Sequence, residues 1–308
     1  MAGTSSRNGA SRYAVVDVGS NTIHLLIADS NGRTLATIDD QSTRLRLGED
    51  VAHGGSIDRG KIQLAVDTVS GYVKLAQRAG AKMTCLLGTQ AVRAATNGSE
   101  LAESIQRATA VPLLVIDPST EAQLGYLGTT LDVPVKRPRL IMDIGGGSTQ
   151  LLLVESGSRT NFLGSLPIGS VSLPARFLRN DPPRRQEREA MELAVMQAAG
   201  SVAQRRTGPA AQYAVLIGGA GRRLRRAGRL DDEEPLVKLW VERMAETLLT
   251  ISAEAMEMLG AVRFEDADMV RAGAVVLREV MNACNLQYCL VSENGIREGA
   301  VLTLARGQ

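Results

Sequence analysis

Two short stretches of this 308-residue chain carry an aspartate, a glycine and small hydroxyl or amide side chains in the same order. The first is Asp17, Gly19, Ser20, Asn21 and Thr22, with His24 two places on; the second is Asp143, Gly145, Gly146, Gly147, Ser148 and Thr149, followed by Gln150. Aliphatic runs flank both, the pattern of two strands joined by a tight turn. A glycine-containing turn lets successive backbone N–H groups converge on one point, because no Cβ intrudes. Such a nest suits phosphate oxygens, and Ser20, Asn21, Ser148 and Thr149 add side-chain donors at the same height. Asp17 and Asp143 could hold magnesium or manganese, directly or through waters, since hard divalent cations prefer oxygen ligands. A metal and two nests favour phosphoryl transfer. One such turn alone is an ordinary hairpin, but two, each opening a predicted domain, are an internal repeat.

The elements that must carry these turns follow from periodicity. Strands are expected at 13–17, 22–28 and 33–38, as a meander. Ile62, Val66, Val69, Val73 and Ala76 lie on one face of an amphipathic helix, with Ser56 as its N-cap and Gly80 as its stop. A strand at 83–87 precedes a helix bearing Leu101, Ile105 and Ala108, capped by Asn97 with Glu100. A buried strand is expected at 111–116, then a helix through Leu124 and Leu127 capped by Ser119. The proline-punctuated stretch 132–139 reads as a domain connection, giving domains 12–133, joined by the C-terminal helix 297–308, and 138–296. In the second domain, strands are expected at 140–144, 150–154 and 162–166, and a long helix after Pro182 and Pro183 with Ala194, Val195, Ala198 and Val202 inward. Next come a strand at 215–217, a glycine cluster, helices over 236–258 and 267–283, a strand near Leu290 and a helix from about Arg297. Gly55, Gly60 and Lys61 have the spacing of a Walker loop, but Ile62 replaces the magnesium-binding hydroxyl and no strand precedes, so a helix start is expected instead.

Composition sets the outer limits. With 44% hydrophobic and 22% charged residues the chain is no disordered tail, and its length lets it bury roughly three quarters of its unfolded surface without metal or disulfide support. A net charge of +2 and 3% aromatic residues offer neither a strong polyelectrolyte attraction nor stacking platforms for nucleic acid. Cys85, Cys284 and Cys289 fit no zinc or disulfide pattern, which favours a reducing cytoplasm. The first eleven residues lack a signal-peptide core and no apolar run has membrane-spanning length, so neither export nor membrane insertion is expected.

With these residues in view the chain resembles the exopolyphosphatase and guanosine pentaphosphate phosphohydrolase (Ppx/GppA) family of the actin-like ATPase superfamily. The two hairpins, the stretch from Gly88 to Arg93, Asn97, the stretch from Val115 through Glu121 to Ala122, and Arg297, Glu298 and Gly299 carry the resemblance, which runs from about residue 12 to the C-terminus. It implies an α/β fold of two ribonuclease-H-like domains flanking a central cleft, as in the short two-domain members. It also implies metal-dependent hydrolysis of a terminal phosphoanhydride by water. Glu121 falls on the catalytic glutamate, where a partly desolvated carboxylate could accept a proton; otherwise it reads as a first-turn helix glutamate. Arg93 would grip a phosphate, and His24, where relatives carry His or Arg, would reach the substrate.

The resemblance further places Gly145, Gly146, Gly147, Ser148 and Thr149 in a second phosphate loop, and Asp143 and Gln150 at catalytic and metal positions alongside Asp17. Gly219 lies in the cluster that contacts adenosine in nucleotide-using relatives; Arg222, Arg223, Arg225, Arg226 and Arg229, which follow, would form a polyanion track if they faced the cleft. Three departures stand out: Thr120 replaces a second acid, Asp117 and Pro118 replace a Ser-Gly pair, and Gln150 replaces a glutamate. The expectation is a magnesium-dependent exopolyphosphatase acting on inorganic polyphosphate. The alternatives are a guanosine pentaphosphate phosphohydrolase, a catalytically weak polyphosphate-binding regulatory protein and, less in keeping with the Glu121 segment, an ATP-dependent kinase. A homodimer would be in keeping with the family.

Overall fold

Apolar alternation in the first 44 residues is realised as three antiparallel strands, β1 (Ser11–Val18), β2 (Thr22–Ser30) and β3 (Leu35–Arg44). The computed structural model describes residues 9–134, 139–155, 159–204, 210–260 and 262–307. Residues 1–8 of the expected polar N-terminus, and 135–138 of the expected connection at 132–139, lie outside these. Val18 pairs with Ile23, so β1 and β2 are joined by a four-residue turn. Then come α1 (Leu47–Gly54), α2 (Arg59–Arg78), β4 (Met83–Gly88), α3 (Gln90–Ala94), α4 (Gly98–Thr109), β5 (Leu113–Val115) and α5 (Pro118–Thr129). β4 runs parallel to β1 and β5 parallel to β4, giving the sheet order β3-β2-β1-β4-β5. Ala14, Val16 and Val18 on one face meet Ile62, Val69 and Val73 of α2 and Leu101 and Ile105 of α4.

The same plan recurs. β6 (Arg139–Ile144), β7 (Thr149–Val154) and β8 (Thr160–Leu166) form a second meander, again with a four-residue turn between the paired Ile144 and Thr149. α6 (Ser172–Phe177) and α7 (Arg185–Ala203) lead to β9 (Tyr213–Ile217), parallel to β6. After α8 (Gly219–Gly228), β10 (Leu236–Val237), α9 (Lys238–Thr250), α10 (Ala253–Met258) and α11 (Ala267–Ala283), β11 (Tyr288–Val291) adds parallel to β9. The order β10-β11-β9-β6-β7-β8 repeats the first sheet's topology with one extra edge strand. The last helix, α12 (Ile296–Ala305), returns to the first sheet, where Ala300 and Val301 cover Tyr13, Val15 and Leu26. The chain thus divides into unit 1, up to Leu131 and from Asn294, and unit 2, Asp132–Glu293. Among the described residues no helix is long and apolar enough to cross a membrane.

Several local expectations are corrected. Asp58, not Ser56, caps α2, accepting from Gly60 N–H (2.8 Å) and Lys61 N–H (3.2 Å). The false Walker lysine, Lys61, pairs with Asp50 at 2.6 Å in that helix start. Asn97 makes no cap: its amide brackets Ile57, accepting from the N–H at 2.9 Å and donating to the carbonyl at 2.8 Å. β5 is an edge strand with Leu114 and Val115 exposed rather than buried. The helix expected over 236–258 is broken where Ile251 turns extended and Ser252 Oγ caps α10 through Ala255 N–H at 3.1 Å. Along α7 the buried positions are Met191, Val195, Ala199 and Val202, with Ala194 and Ala198 only half-buried. α1 was not expected, because its eight residues carry too short an apolar pattern.

Candidate active site

The two four-residue turns share one geometry. Gly19 N–H donates to Thr22 O at 3.2 Å and Gly145 N–H to Ser148 O at 2.9 Å. A Cβ on Gly19 would stand 3.0 Å from Thr22 O, and one on Gly145 3.1 Å from Ser148 O, so a side chain at either position would crowd the carbonyl that closes its turn. The turn carbonyls are then pulled backwards by the segment after each meander. In unit 1, Ser20 O accepts from Gly48 N–H (2.7 Å), and Asn21 O from Leu45 N–H (3.1 Å) and Arg46 N–H (2.9 Å). In unit 2, Gly145 O accepts from Ser170 N–H (2.9 Å), and Gly146 O from Val171 N–H (2.7 Å) and Ser172 N–H (3.0 Å). Ser172 Oγ reaches Gly147 O at 3.3 Å. In a trans peptide the carbonyl of one residue and the N–H of the next point oppositely. The N–H groups of Asn21 and Thr22, and of Gly146, Gly147 and Ser148, therefore turn away from their buttresses, as an anion nest requires. Gly48 belongs to this machinery, for a Cβ there would stand 2.8 Å from Ser20 Cβ. Gly169 plays the like part in unit 2, against the backbone of Gly146.

The side chains around the turns divide unevenly. Ser20 Oγ donates to Gln90 Oε1 at 3.0 Å, and Thr149, fully buried, spends its hydroxyl on Ile168 O at 2.7 Å. Both were expected to present donors, yet the hydrogen bonds commit them inside the fold. Ser148 Oγ instead accepts from Gln150 Nε2 at 2.7 Å, which leaves its own proton to be donated.

In unit 2, Asp143 and Gln150 face each other across β6 and β7. Asp143 is buried, and that burial pushes its carboxyl up to about 6 against the easing charge of Arg222. Gln150 is 1% exposed, and its Oε1 has no hydrogen-bond partner among the described residues. Gly218, at a φ of 82°, ends β9 against them; a Cβ there would stand 3.0 Å from Asp143 Oδ1. A carboxylate beside an orphaned amide oxygen fits a hard divalent cation that takes its other ligands from water or substrate. Among the described residues no three His, Cys, Asp or Glu side chains cluster as metal ligands.

In unit 1, Glu121 lies in the first turn of α5, only 5% exposed. Both Nη atoms of Arg93 reach its Oε2 at 3.2 Å, and Arg93 Nη1 also donates to Ile116 O. Arg93 thus holds the glutamate rather than standing apart from it. Asp117, not Ser119, caps α5: its Oδ1 accepts from Ser119 N–H (2.9 Å) and Thr120 N–H (3.1 Å), its Oδ2 from Thr120 Oγ1 (2.7 Å). Two departures from the family pattern are therefore one. A carboxylate at 120 would face the Asp117 carboxylate, whereas threonine donates to it.

α5 is seated against α12 through glycines. A Cβ on Gly299 would run into Leu124 O, and one on Gly128 into Gly295 O. Glu298 Oε2 accepts from Gly295 N–H at 2.7 Å at the start of α12. Next to it, Arg297 clasps Asp40 of β3 with both Nη atoms, at 2.6 and 3.2 Å. Burial works against that guanidinium's charge, but Glu298, Asp40 and Asp17 together raise its pKa. Asp17 and His24 face each other across β1 and β2, on the sheet face that α12 covers.

Arg222, Arg225, Arg226 and Arg229 after Gly219 are spaced at three and four residues and so share one helical face. All but Arg229, its C-cap, lie in α8; Arg222 and Arg225 both pair with Glu293, and Arg229 donates to Leu259 O. Arg225 is buried, and only Arg226 of the remaining two is exposed. The sequence reading missed Gln90 and the buttressing glycines Gly48 and Gly169. Isolated glycines outside recognised turns were the available signal, since each marks a close backbone approach.

Two α/β units of one topology, each with a glycine hairpin braced from behind, are the architecture of paired actin-like domains. The profile of the Ppx/GppA phosphatase family matches residues 26–307. The chain is 30% identical over 304 residues to an uncharacterized protein of Streptomyces coelicolor, covering 94% of this chain and 89% of that one. It is 29% identical over 314 residues to exopolyphosphatase 1 of Mycobacterium tuberculosis, covering 94% and 87%. The crystal structure of an exopolyphosphatase from Cytophaga hutchinsonii shares its fold, with a TM-score of 0.85 at 23% identity over 96% of this chain and 98% of that one. This chain belongs to the Ppx/GppA phosphatase family.

Proposed function

We propose that the protein is an exopolyphosphatase, releasing terminal orthophosphate from linear inorganic polyphosphate by attack of water. The observation that carries this reading is the duplicated turn whose carbonyls are drawn backwards, leaving N–H groups for phosphate oxygens in each unit. Fixed dipoles of this kind need no reorganisation when charge builds on the transferring phosphoryl group. Glu121 accepts the proton of the attacking water, and Arg93 keeps its carboxylate in one orientation. Ser148 donates to a phosphate oxygen. Asp143 and Gln150 of unit 2 would hold magnesium, and Asp17 offers a further carboxylate oxygen in unit 1. When bound, that ion neutralises phosphate charge and orients the chain end. The name of the Mycobacterium tuberculosis relative, exopolyphosphatase 1, favours polyphosphate over guanosine pentaphosphate.

The test is phosphate release from defined short and long polyphosphates, with and without magnesium, against guanosine pentaphosphate by kcat/KM. Glu121→Gln should lower kcat by about 10²- to 10⁴-fold while polyphosphate still binds. Turnover within threefold of wild type would remove Glu121 from the mechanism.

A further inference from the structure

The two units each pair a glutamine with a serine of the turn, but with opposite polarity. In unit 2, Gln150 gives its N–H to Ser148, so its carbonyl oxygen remains, buried and unpartnered among the described residues. In unit 1, Gln90 takes the proton of Ser20 on its carbonyl oxygen, at 3.0 Å, so its amide nitrogen remains. No described residue accepts from Gln90 Nε2, and Gln90 is half-buried. One pair therefore ends in an acceptor suited to a cation and the other in a donor suited to an anion.

We propose that Gln90 is a substrate-binding residue of unit 1, its amide nitrogen donating to a phosphate oxygen of the phosphoanhydride chain beside the N–H groups of Asn21 and Thr22. This rests on the exopolyphosphatase reading above. The placement is firm at every joint. Thr89, immediately before Gln90, stitches the end of β4 to the end of β1, its N–H and hydroxyl both meeting Val18 O, at 3.3 and 3.4 Å. Val18 also pairs with Gly88 in the parallel ladder, so α3 begins beside the residue that opens the turn. Ser20 is 6% exposed and held from the other side by Gly48 N–H. Its hydroxyl thus serves to orient Gln90, and the donor role expected of Ser20 passes to the amide. At the matching position of unit 2, set by the parallel registers of β1 with β4 and β6 with β9, stands Ala220, whose methyl group donates nothing, so this donor belongs to one unit only.

The experiment is tripolyphosphate binding by calorimetry, alongside steady-state phosphate release, on the full chain and its Gln90→Glu and Gln90→Met variants. Methionine keeps the length and removes the donor; glutamate adds a like charge beside the phosphate. Loss of one hydrogen bond to a charged group predicts about tenfold weaker binding for Gln90→Met, and a larger loss for Gln90→Glu, with KM rising more than kcat falls. Binding within twofold of wild type in Gln90→Met overturns the inference, and that variant alone decides if Gln90→Glu does not fold. If Gln90→Met binds normally while Glu121→Gln is inactive, only this inference fails. A wild-type chain that neither binds nor cleaves polyphosphate overturns both this inference and the reading beneath it.

Discussion

Replacing Gly299 by alanine adds one methyl group to α12, at the point where that helix meets the backbone of α5. The added Cβ would collide with Leu124 O and stand 3.1 Å from Gly128 N. Neither neighbour is a side chain that can rotate away, so relief requires the helices to part. Overpacking costs about 1–3 kcal/mol, offset by alanine's helix preference over glycine of about 1 kcal/mol. A net loss of about 0–2 kcal/mol follows from these two terms, towards the upper end because both neighbours are backbone. Glu121 lies seven residues before Gly128 on the same rigid helix, about 10 Å along its axis. A shift of about 1 Å there should cost roughly 10²-fold in kcat. The internal control is Gly71→Ala in α2, where a Cβ meets nothing within 4 Å; this variant should gain about 0.5–1 kcal/mol and keep full activity. Urea unfolding followed by circular dichroism, with phosphate release on the same samples, compares the two. If Gly299→Ala is as stable and as active as Gly71→Ala, the glycine contact does not seat α5 and the reasoning fails.

Other outcomes follow from the same geometry. Gln150→Glu places a second carboxylate across from Asp143, so it should lower the magnesium concentration for half-maximal activity and enlarge the magnesium-induced rise in melting temperature; an unchanged requirement counts against a metal role. Asp117→Ala removes the cap of α5 and should cost about 1 kcal/mol at pH 7. The Thr120 hydroxyl, then the Thr120 and Ser119 N–H groups, hold the Asp117 carboxyl below its ordinary value. Its contribution is therefore complete above the unfolded-state pKa of about 3.9 and is lost as pH falls through the lower folded value. The stability gap between wild type and Asp117→Ala should be narrower at pH 3 than at pH 7; an equal gap would mean the cap does not depend on its charge.

Much of this protein was written locally. The alternation around Asp17 and around Asp143 marked both hairpins, and the glycines marked the turns, because a strand's two-residue period and a turn's dihedral needs are properties of neighbouring residues. Capping was less legible. Ser56, Asn97 and Ser119 all have suitable side chains, but Asp58 and Asp117 cap their helices, and Asn97 is claimed by Ile57, 40 residues away in the chain.

The sequence by itself determined the doubled plan, two meanders each ending an Asp-x-Gly strand in a tight turn, and the residue types able to meet phosphate there. Only the tertiary structure decided which of those groups remain available. Thr149 and Ser20 are spent on Ile168 and Gln90, Arg93 reaches Glu121, and Arg222 and Arg225 of α8 reach Glu293. Donors and acceptors are saturated by partners brought together through long-range packing, and no local pattern records which partner arrives first.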